Sequence, residues 1–406
     1  MGPLAGIKVI DLSRVLAGPW AAQSLADLGA HVIKVERPGK GDDSRAFGPP
    51  WLKDSGGADT REAGYFLCAN RGKESVTVDI AKPRGAAIVR ELAARADVLI
   101  ENYKVGDLAR YGLGYEDLRS LNPRLVYCSV TGFGQTGPYR DRPGYDFMVQ
   151  GLGGMMSITG ERDDRPGGGP QRVGVPVVDL ITGLYATIAI NAALHYRNTS
   201  GHGQYIDMAL LDCCVAFLAN QGANYLVTGT PPGRLGNDHP NIAPYQTVRT
   251  ADGNIILAVG NDNLFRKFCD VAGCPELASD PRFATNAARV ENRASIQEPI
   301  ASAMKRRTTA EWIDALDRAG VPCAPINDLA QVFADPQVIA RGLRIEVAHA
   351  SGVDAPLVRG PIVYSESGLE FQTPPPTLGQ HTERVLRDEL GYAPADIAQL
   401  RAQGVI

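Results

Sequence analysis

Short apolar runs and longer stretches with helical spacing alternate along the first third of the chain. A short apolar run bounded by turn residues is typical of a buried strand, whereas apolar residues repeated every three to four positions indicate a helix. Alternation of this kind predicts a mostly parallel sheet with helices on both faces, a doubly wound, Rossmann-like α/β domain. The segments in this order are strand-like 7–12, helical 20–30, strand-like 31–36, strand-like 74–80, helical 82–96, strand-like 97–103, helical 115–123 and strand-like 125–133.

The pattern changes in the second half of the chain, which indicates a further domain. Helical spacing continues through 180–196 and 208–227, but the sequence YQTVRTADGNIILAVG then predicts a hairpin turned at Asp252-Gly253. Polar amphipathic helices follow, and after Gly320 strand-like and helical runs return. The predicted organisation is a large α/β domain at 1–228, a smaller α+β domain at 229–319, and a C-terminal segment at 320–406 that docks on the large domain.

The balance of charge restricts the possible partners. The 406 residues are 44% hydrophobic and 21% charged, enough to bury a large core. Lysine and arginine together number 41 and aspartate and glutamate 45, so the formal net charge is −4. A chain of this charge has no overall positive field to attract nucleic acid or an anionic membrane. We predict neither as a partner, and expect local arginines and lysines to hold any anionic ligand.

The lengths of the apolar runs and the spacing of the cysteines indicate the cellular compartment of the protein. No apolar run approaches the roughly 20 residues that a membrane helix needs, and the start MGPLAGIKVIDLS lacks the basic and apolar regions of a signal peptide. The seven cysteines are scattered, mostly inside apolar stretches, and no Cys or His spacing suits zinc. We therefore expect a cytoplasmic protein without a metal site, whose cysteines are small buried apolar side chains.

Three familiar motifs are missing. The turn after the first strand reads DLSRVLAGPW and contains no G-x-G-x-x-G, which argues against an NAD-linked dehydrogenase. A P-loop fails because Glu74 follows Lys73 and because Leu67 stands in place of the first glycine. No G-x-S-x-G elbow of a serine hydrolase occurs. The function must therefore be sought in other segments.

Five segments near predicted strand ends combine glycine with charge, at the edge of a parallel sheet where ligands bind. Taken singly, each is a turn or a solvated surface charge. The segments are RVLAGP (14–19), VERPGKGDDSR (35–45), NRGK (70–73), ENYKVGDLARYGL (101–113) and GFGQTGPYRDRPGYD (132–146).

Together these segments resemble the class III CoA-transferases, the family of the formyl-CoA:oxalate and carnitine enzymes. The resemblance continues through VPVVDLITGLYA (175–186) and HPNIAPY (239–245) to LGQHTERVL (378–386). GYDFMVQGLGGMMSITGE (144–161) looks most like the succinyl-CoA-dependent members that act on dicarboxylates such as glutarate. The resemblance implies coenzyme A and acyl-CoA as substrates, no tightly bound cofactor, and a homodimer of interlocked subunits. The donor and acceptor acids stay open.

The resemblance makes Asp179 the catalytic nucleophile and sets Asp146, preceded by Tyr145, beside it. Asp179 would attack the donor thioester, and CoA would move through anhydride and aspartyl-CoA thioester intermediates. Taken without the resemblance, an aspartate at the start of an apolar helix is more simply interpreted as an N-cap. A helix N-terminus would also keep its carboxylate ionised.

The remaining site residues also follow from the resemblance. It implies that Arg37 stacks on the CoA adenine and that Arg110 lies near the CoA phosphates, roles that suit a planar, permanently charged guanidinium. Leu16 stands where the oxalate enzymes carry glutamine, which favours a larger or less polar acceptor. The other positions that match the CoA site are Val15, Ala17, Val78, Asn102, Tyr103 and Tyr111.

The covering loop departs from the family pattern. The oxalate enzymes have a glycine run in the small domain, whereas 233–245 reads GRLGNDHPNIAPY here. Gly236 and His239 are our candidates for lid or substrate contacts, although a structural role for His239 is equally compatible with the sequence.

Two further functions compete with the transferase. Racemases of 2-methylacyl-CoA share the fold but use a histidine in a GHD motif, where this chain has GYD with Tyr145. A non-catalytic CoA-binding protein would not need Asp179. Both alternatives therefore rank below CoA transfer.

Overall fold

The computed structural model describes residues 1–406 and divides them into two compact units. The backbone N–H of Gly236 donates to the carbonyl of Gly160 (3.1 Å), a bond between the two segments of the second unit. The first unit comprises Met1–Gly153, Gly174–Phe217 and Pro336–Ile406, and the second comprises Gly154–Val173 and Leu218–Asp335.

Thirteen strands are present. They are β1 Lys8–Asp11, β2 His31–Glu36, β3 Trp51–Lys53, β4 Asp59–Ala63, β5 Lys73–Thr77, β6 Val98–Glu101, β7 Val126–Thr131, β8 Tyr205–Ala209, β9 Tyr245–Arg249, β10 Asn254–Ala258, β11 Cys323–Pro325, β12 Arg344–Ala348 and β13 Asp354–Val358.

Six strands of the first unit form one parallel sheet in the order β5-β2-β1-β6-β7-β8. The chain enters at β1, proceeds outward to β5, and then crosses to β6 on the other side of β1. The direction of winding therefore reverses between β1 and β6. The prediction of an α/β fold with a parallel sheet is confirmed, and β8 is a strand that the sequence pattern had assigned partly to a helix. Two hairpins, β3–β4 and β12–β13, are antiparallel.

The helices are α1 Ala17–Asp27, α2 Gly64–Leu67, α3 Pro83–Ala93, α4 Tyr115–Leu121, α5 Asp146–Leu152, α6 Met155–Ile158, α7 Val177–Ser200, α8 Leu210–Ala216, α9 Ala219–Thr228, α10 Asp262–Ala272, α11 Pro275–Ser279, α12 Asn286–Glu291, α13 Arg293–Met304, α14 Thr309–Ala319, α15 Leu329–Ala334, α16 Pro336–Ala340, α17 Thr382–Arg384 and α18 Pro394–Ala402. Short helical turns lie at Asp43–Ala46, Leu108–Tyr111 and Val385–Glu389.

The core of the first unit uses alternate positions of its strands. Ile10 and Leu12 pack with Ile88 of α3 and with Val385 and Leu400 of the C-terminal segment. Successive residues of a strand point to opposite faces, so this cluster covers one face of the sheet. Helices α1 and α7 pack on each other and on strands of the same sheet.

The C-terminal segment is bonded to the sheet of the first unit. The N–H of Asp79 donates to the carbonyl of Val405 (2.8 Å), and the N–H of Thr77 donates to the hydroxyl of Thr382 (2.9 Å). Strand β5 lies at the edge of the sheet, where backbone N–H and C=O groups would otherwise be exposed and unpaired. The C-terminal segment covers part of this edge.

The second unit has its own core. Strands β9, β10 and β11 form an antiparallel sheet, with the β9–β10 turn closed by a bond from Thr250 N–H to the Gly253 carbonyl (3.0 Å). Phe265, Phe268 and Trp312 from α10 and α14 are buried against it. The hairpin predicted at Asp252-Gly253 is therefore present.

Helix α7 is long and apolar enough, by length and composition alone, to cross a membrane. The expectation that no segment reaches that length was therefore wrong. Val178, Ile181 and Ile190 of this helix are buried in the first unit, as in the core helix of a globular protein, and such a single helix is weak evidence for a membrane span. The helix ends at Gly201, whose φ of +77° suits glycine.

Candidate active site

The carboxyl ends of β1 and β6 meet where the winding of the sheet reverses. In open parallel sheets, ligands bind in the crevice that forms at this point. Two clefts open there in the first unit. The loop after β1, which contains Arg14, and the loop after β6, which contains Tyr103, border both of them.

The first cleft has a volume of about 220 Å³ and contains the carboxylate predicted to be the nucleophile, Asp179. It also exposes charged side chains that were not named as site residues, among them Lys104 of segment 101–113 and Arg140 and Arg142 of segment 132–146. The predicted site residues that line it are Val15, Leu16, Ala17, Asn102, Tyr103, Tyr145 and Asp179.

The second cleft has a volume of about 490 Å³. Arg37 and Lys40 are exposed at its wall, and Val78 is buried beneath it. The predicted site residues that line it are Arg37, Val78, Tyr103 and Tyr111. Because Arg14, Asp43 and Tyr103 belong to both walls, the two clefts adjoin.

Two predicted residues of the first unit line neither cleft. The Arg110 guanidinium is largely exposed and lies 3.4 Å from the carboxylate of Asp107, which itself lines the second cleft. Asp146 begins α5 and lies against the start of α7. Arg110 is therefore at the rim of the second cleft, and Asp146 is behind the wall of the first.

Asp146 supplies the missing cap of α7. Its Oδ1 accepts a hydrogen bond from the N–H of Val178 (2.7 Å) and a longer one from the N–H of Asp179 (3.3 Å). The N-cap residue of α7 is Pro176, whose side chain forms no capping bond. Asp179 is in the first turn and is not the N-cap, so the simpler interpretation of this aspartate is wrong. With the capping done by Asp146, the Asp179 carboxylate accepts no hydrogen bond.

The protonation of Asp179 departs from the expectation for a helix N-terminus. Burial raises the pKa of Asp179 to about 7, and the adjacent Asp146 carboxylate adds to the rise. The partial positive charge of a helix N-terminus favours an anion by only about 0.3–1 kcal/mol. Burial outweighs it, because one pKa unit corresponds to about 1.4 kcal/mol.

Tyr65 in α2 is a neighbour of the two aspartates that sequence reasoning missed. Burial raises the pKa of Tyr65 to about 12, and the carboxylates of Asp179 and Asp146 contribute. The phenol therefore stays protonated and can donate a hydrogen bond. No motif contains it: the segment that carries Tyr65 has no glycine or charge pattern that relates it to α7, and only the fold brings it near.

Leu16 and Val15 form part of the wall of the first cleft. Leu16 is the N-cap of α1 and is almost fully buried. Val15 has φ of +71°, a left-handed conformation that is rare for a β-branched residue. The sequence contains no signal for this conformation, because neither glycine nor asparagine stands at the position.

The two lid candidates lie in the second unit. The N–H of Gly236, at φ of +61°, bonds to Gly160, and the ring of His239 packs on Tyr245 with 5.2 Å between ring centroids. Burial lowers the pKa of His239, and the positive Arg293 adds to the effect. His239 is thus neutral at pH 7, and its role as a lid contact stays a prediction.

Comparison with known proteins shows the family of the chain. Residues 4–382 match the model of CoA-transferase family III. The chain is 52% identical to a succinate–glutarate CoA-transferase of Agrobacterium fabrum over 95% of each chain, and 43% identical to the human succinyl-CoA:glutarate CoA-transferase, covering all of this chain and 90% of that one. It superposes on a crystal structure of a CAIB/BAIF family protein from Brucella suis with a TM-score of 0.83, at 50% identity, covering 96% of this chain and 99% of the other.

This chain therefore belongs to CoA-transferase family III. It is an enzyme that transfers coenzyme A from an acyl-CoA to a carboxylate. The racemase alternative is not favoured, since these relatives are transferases and Tyr145 stands in place of the histidine that a racemase uses.

Proposed function

We propose that this enzyme moves CoA between dicarboxylic acids, with succinyl-CoA as donor and glutarate or a similar acid as acceptor, through a covalent intermediate on Asp179. The observation that carries the proposal is the environment of Asp179. Its carboxylate lines the first cleft, accepts no hydrogen bond, and has a pKa raised to about 7 by burial. A poorly solvated carboxylate is a stronger nucleophile than one stabilised by hydrogen bonds.

The adjoining clefts suggest how acyl-CoA is seated. In our proposal, the nucleotide occupies the second cleft, with Arg37 on the adenine and Arg110 toward the phosphates at the rim. The pantetheine chain then passes Tyr103, which borders both clefts, and brings the thioester to Asp179 in the first. Leu16, Ala17 and the other apolar wall residues exclude water, which would otherwise hydrolyse an acyl intermediate.

The first half of the reaction loads CoA onto the enzyme. An Asp179 oxygen attacks the thioester carbon of the donor, the C–S bond breaks, and a mixed anhydride and CoA thiolate result. The thiolate then attacks the aspartyl carbonyl carbon of the anhydride. A C–S bond forms, the donor acid leaves as its carboxylate, and an aspartyl-CoA thioester remains.

The second half repeats these steps in reverse with the acceptor. The acceptor carboxylate attacks the aspartyl carbon and releases thiolate, which then attacks the acceptor's acyl carbon in the new anhydride. The product thioester forms and the Asp179 carboxylate is restored. Each step exchanges one activated acyl bond for another, so the cycle is balanced without water, proton or nucleotide triphosphate.

The charges of the first cleft favour a dicarboxylate. Arg14 is paired with Asp43 (3.1 Å) and Arg140 with Asp141 (3.4 Å), whereas the Arg142 guanidinium forms no ion pair. It lies over the ring of Tyr139 (4.5 Å to the centroid) and near Phe133 (5.6 Å), and these rings hold it in place. An oriented guanidinium suits the second carboxylate of a dicarboxylic acid, while the first reacts at Asp179.

Two measurements test the proposal. A panel of mono- and dicarboxylic acids assayed with succinyl-CoA should give the highest kcat/KM with dicarboxylates of four to six carbons. Enzyme incubated with succinyl-CoA without acceptor and then treated with hydroxylamine should carry a hydroxamate on tryptic peptide 173–197, which contains Asp179. Turnover with an unmodified peptide would refute the covalent mechanism, and a preference for monocarboxylates would refute the substrate class.

We also propose the finer architecture and setting of the enzyme. Counted within the sheet, the strand order is 3-2-1-4-5-6, which supports a doubly wound, Rossmann-like large domain. The seven free cysteines suit the reducing cytoplasm. Exposed apolar side chains on α7 and α9 suit an interlocked homodimer.

A further inference from the structure

The segment where the two clefts meet contains a strained residue. Val15 has φ of +71°, and a β-branched side chain in this region is a genuine outlier that persists only when its surroundings enforce it. Val15 lines the first cleft, and its neighbour Arg14 lines both. Strain at such a position points to a role in function rather than to chance, so the contacts that enforce it are informative.

Asn102, directly after β6, holds the segment from one side. Its Oδ1 accepts a hydrogen bond from the N–H of Arg14 (2.9 Å), and its Nδ2 donates to the carbonyl of Arg14 (2.8 Å). One amide side chain thus fixes both backbone groups of the residue before Val15. An alanine at this position would leave both groups without these bonds.

Asp42 holds the segment from the other side. Its Oδ1 accepts a hydrogen bond from the N–H of Val15 itself (3.0 Å). Its Oδ2 lies 2.8 Å from the ammonium of Lys34, which also donates to the carbonyl of Ser13 (2.8 Å). The side chains of Asp42 and Lys34 are fully buried, so their attraction is weakly screened and keeps both in place.

We propose that Asn102 and Asp42 are positioning residues that hold Val15 in its left-handed conformation, and thereby hold the wall along which the pantetheine chain passes from one cleft to the other. The inference rests on the proposed seating of acyl-CoA. It gives Asn102 a role different from a direct CoA contact, since its amide is engaged with the backbone of Arg14 on both of its polar atoms.

A double-mutant cycle tests this proposal. Asn102→Ala should raise both the KM for succinyl-CoA and the Kd for CoA about tenfold, with a smaller change in the KM for the acceptor. Glycine adopts positive φ readily, so a glycine at position 15 can take the left-handed conformation without the help of Asn102 and Asp42. The substitution Val15→Gly therefore removes the strain. In the Val15→Gly background, Asn102→Ala should therefore raise the Kd by less than about threefold.

Asn122→Ala is a matched control. Asn122 also bonds two backbone carbonyls, of Ala93 (3.0 Å) and Ala96 (2.8 Å), but lines neither cleft. It should lower Tm without changing the Kd for CoA. Asp42→Asn, which retains the acceptor for Val15 but loses the charge opposite Lys34, should weaken CoA binding less than Asp42→Ala does.

Three outcomes would overturn the proposal: an equal rise of the Kd in both backgrounds, which would make Asn102 a direct contact; no rise with Asn102→Ala; or the same rise with Asn122→Ala. CoA binding measured by calorimetry does not depend on turnover. An enzyme that binds CoA yet transfers it to no acid would contradict the proposed function alone, and the cycle would still decide the role of Asn102.

Discussion

The burial of the Asp179 carboxylate favours catalysis but reduces stability at high pH. It makes the carboxylate a stronger nucleophile, and it also leaves the charge poorly solvated in the folded protein. The pKa of Asp179 is raised to about 7, so the folded protein holds a proton there that the unfolded chain releases near pH 4. Its favourable contribution to folding is therefore complete below pH 4 and is lost as the pH rises to 7. At pH 8 the folded state must hold a poorly solvated charge.

Asp179→Asn should separate the two effects. The amide cannot form the anhydride, so we expect CoA transfer to fall by several orders of magnitude while CoA binding persists. Because asparagine does not ionise, the variant should also be more stable than wild type, by about 2–3 kcal/mol more at pH 8 than at pH 5. Activity assays and thermal unfolding at the two pH values measure this, and an active variant would leave Asp179 without a catalytic role.

Substitution of Arg142 tests whether the acceptor is a dicarboxylic acid. Arg142→Gln keeps the approximate size of the side chain but removes the charge, so the KM for glutarate should rise about tenfold or more, whereas that for butyrate should change little. Arg140→Gln on the same loop, where the arginine is already paired with Asp141, is the control and should have a small effect. If the KM rose equally for glutarate and butyrate, or rose only for succinyl-CoA, we would conclude that Arg142 binds CoA and not the second carboxylate of the acceptor.

At the scale of elements, the start of α7 depends on a residue of α5. Asp146 accepts the first N–H groups of α7 and also raises the pKa of Asp179 by its charge. The Asp146 carboxylate of α5 thus has two roles: it caps α7, and it raises the pKa of the nucleophile Asp179. Substitutions can separate these roles, because asparagine caps about as well as aspartate but carries no charge.

Asp146→Asn should therefore shift the acidic limb of the pH profile. In wild type, kcat should fall as the pH decreases through about 7, where Asp179 becomes protonated. Without the neighbouring charge the pKa of Asp179 decreases, and the fall should begin at a lower pH with little loss of stability. Asp146→Ala should shift the limb similarly but cost about 1 kcal/mol of stability. An unchanged profile in both variants would show that a different group controls the limb.

The sequence pattern predicted these elements unequally. Strands β1, β2, β5, β6 and β7 were predicted because each contains a short run of apolar or β-branched residues bounded by polar or turn residues. Strand β8 was missed because its sequence YIDMA leads directly into α8 without a turn residue, so the helical spacing seemed to extend to Met208. The cap of α7 could not be predicted, because Asp146 is 32 residues from Val178 and is brought to it by the fold alone.

At the scale of the whole molecule, the sequence placed most candidate residues at one edge of the sheet. Val15, Asn102 and Tyr103 follow strand ends, and this position alone predicts that they meet. Tyr65 was not predicted, since it comes from a short helix that carries no ligand-binding pattern. Arg142 lies in the predicted segment 132–146, but nothing in the sequence distinguished it from the neighbouring charged residues. The left-handed conformation of Val15 could not be predicted from the sequence. Its residue type does not favour this conformation, and the hydrogen bond of its N–H to Asp42 is formed only in the fold.

The exposed apolar surface bears on assembly. Ile188 of α7 is 62% exposed, and Leu226 and Val227 of α9 are 82% and 85% exposed. Exposed apolar side chains of this size, taken separately in the first and in the second unit, are typical of protein–protein contacts. Together with the family resemblance, they support the proposed homodimer, in which two subunits are threaded through each other.

Subunit exchange tests the threading itself and not merely the dimer. Two subunits that pass through each other cannot separate without unfolding, whereas two that only touch can dissociate and re-form with other partners. Affinity-tagged and untagged enzyme, mixed under native conditions at micromolar concentration, should yield no mixed dimer after a day, although light scattering should give the mass of two chains. The same mixture unfolded and refolded together should yield mixed dimers, which shows that the tag does not prevent association. Mixed dimers formed without unfolding would leave an ordinary face-to-face dimer, and a single-chain mass would exclude the dimer altogether.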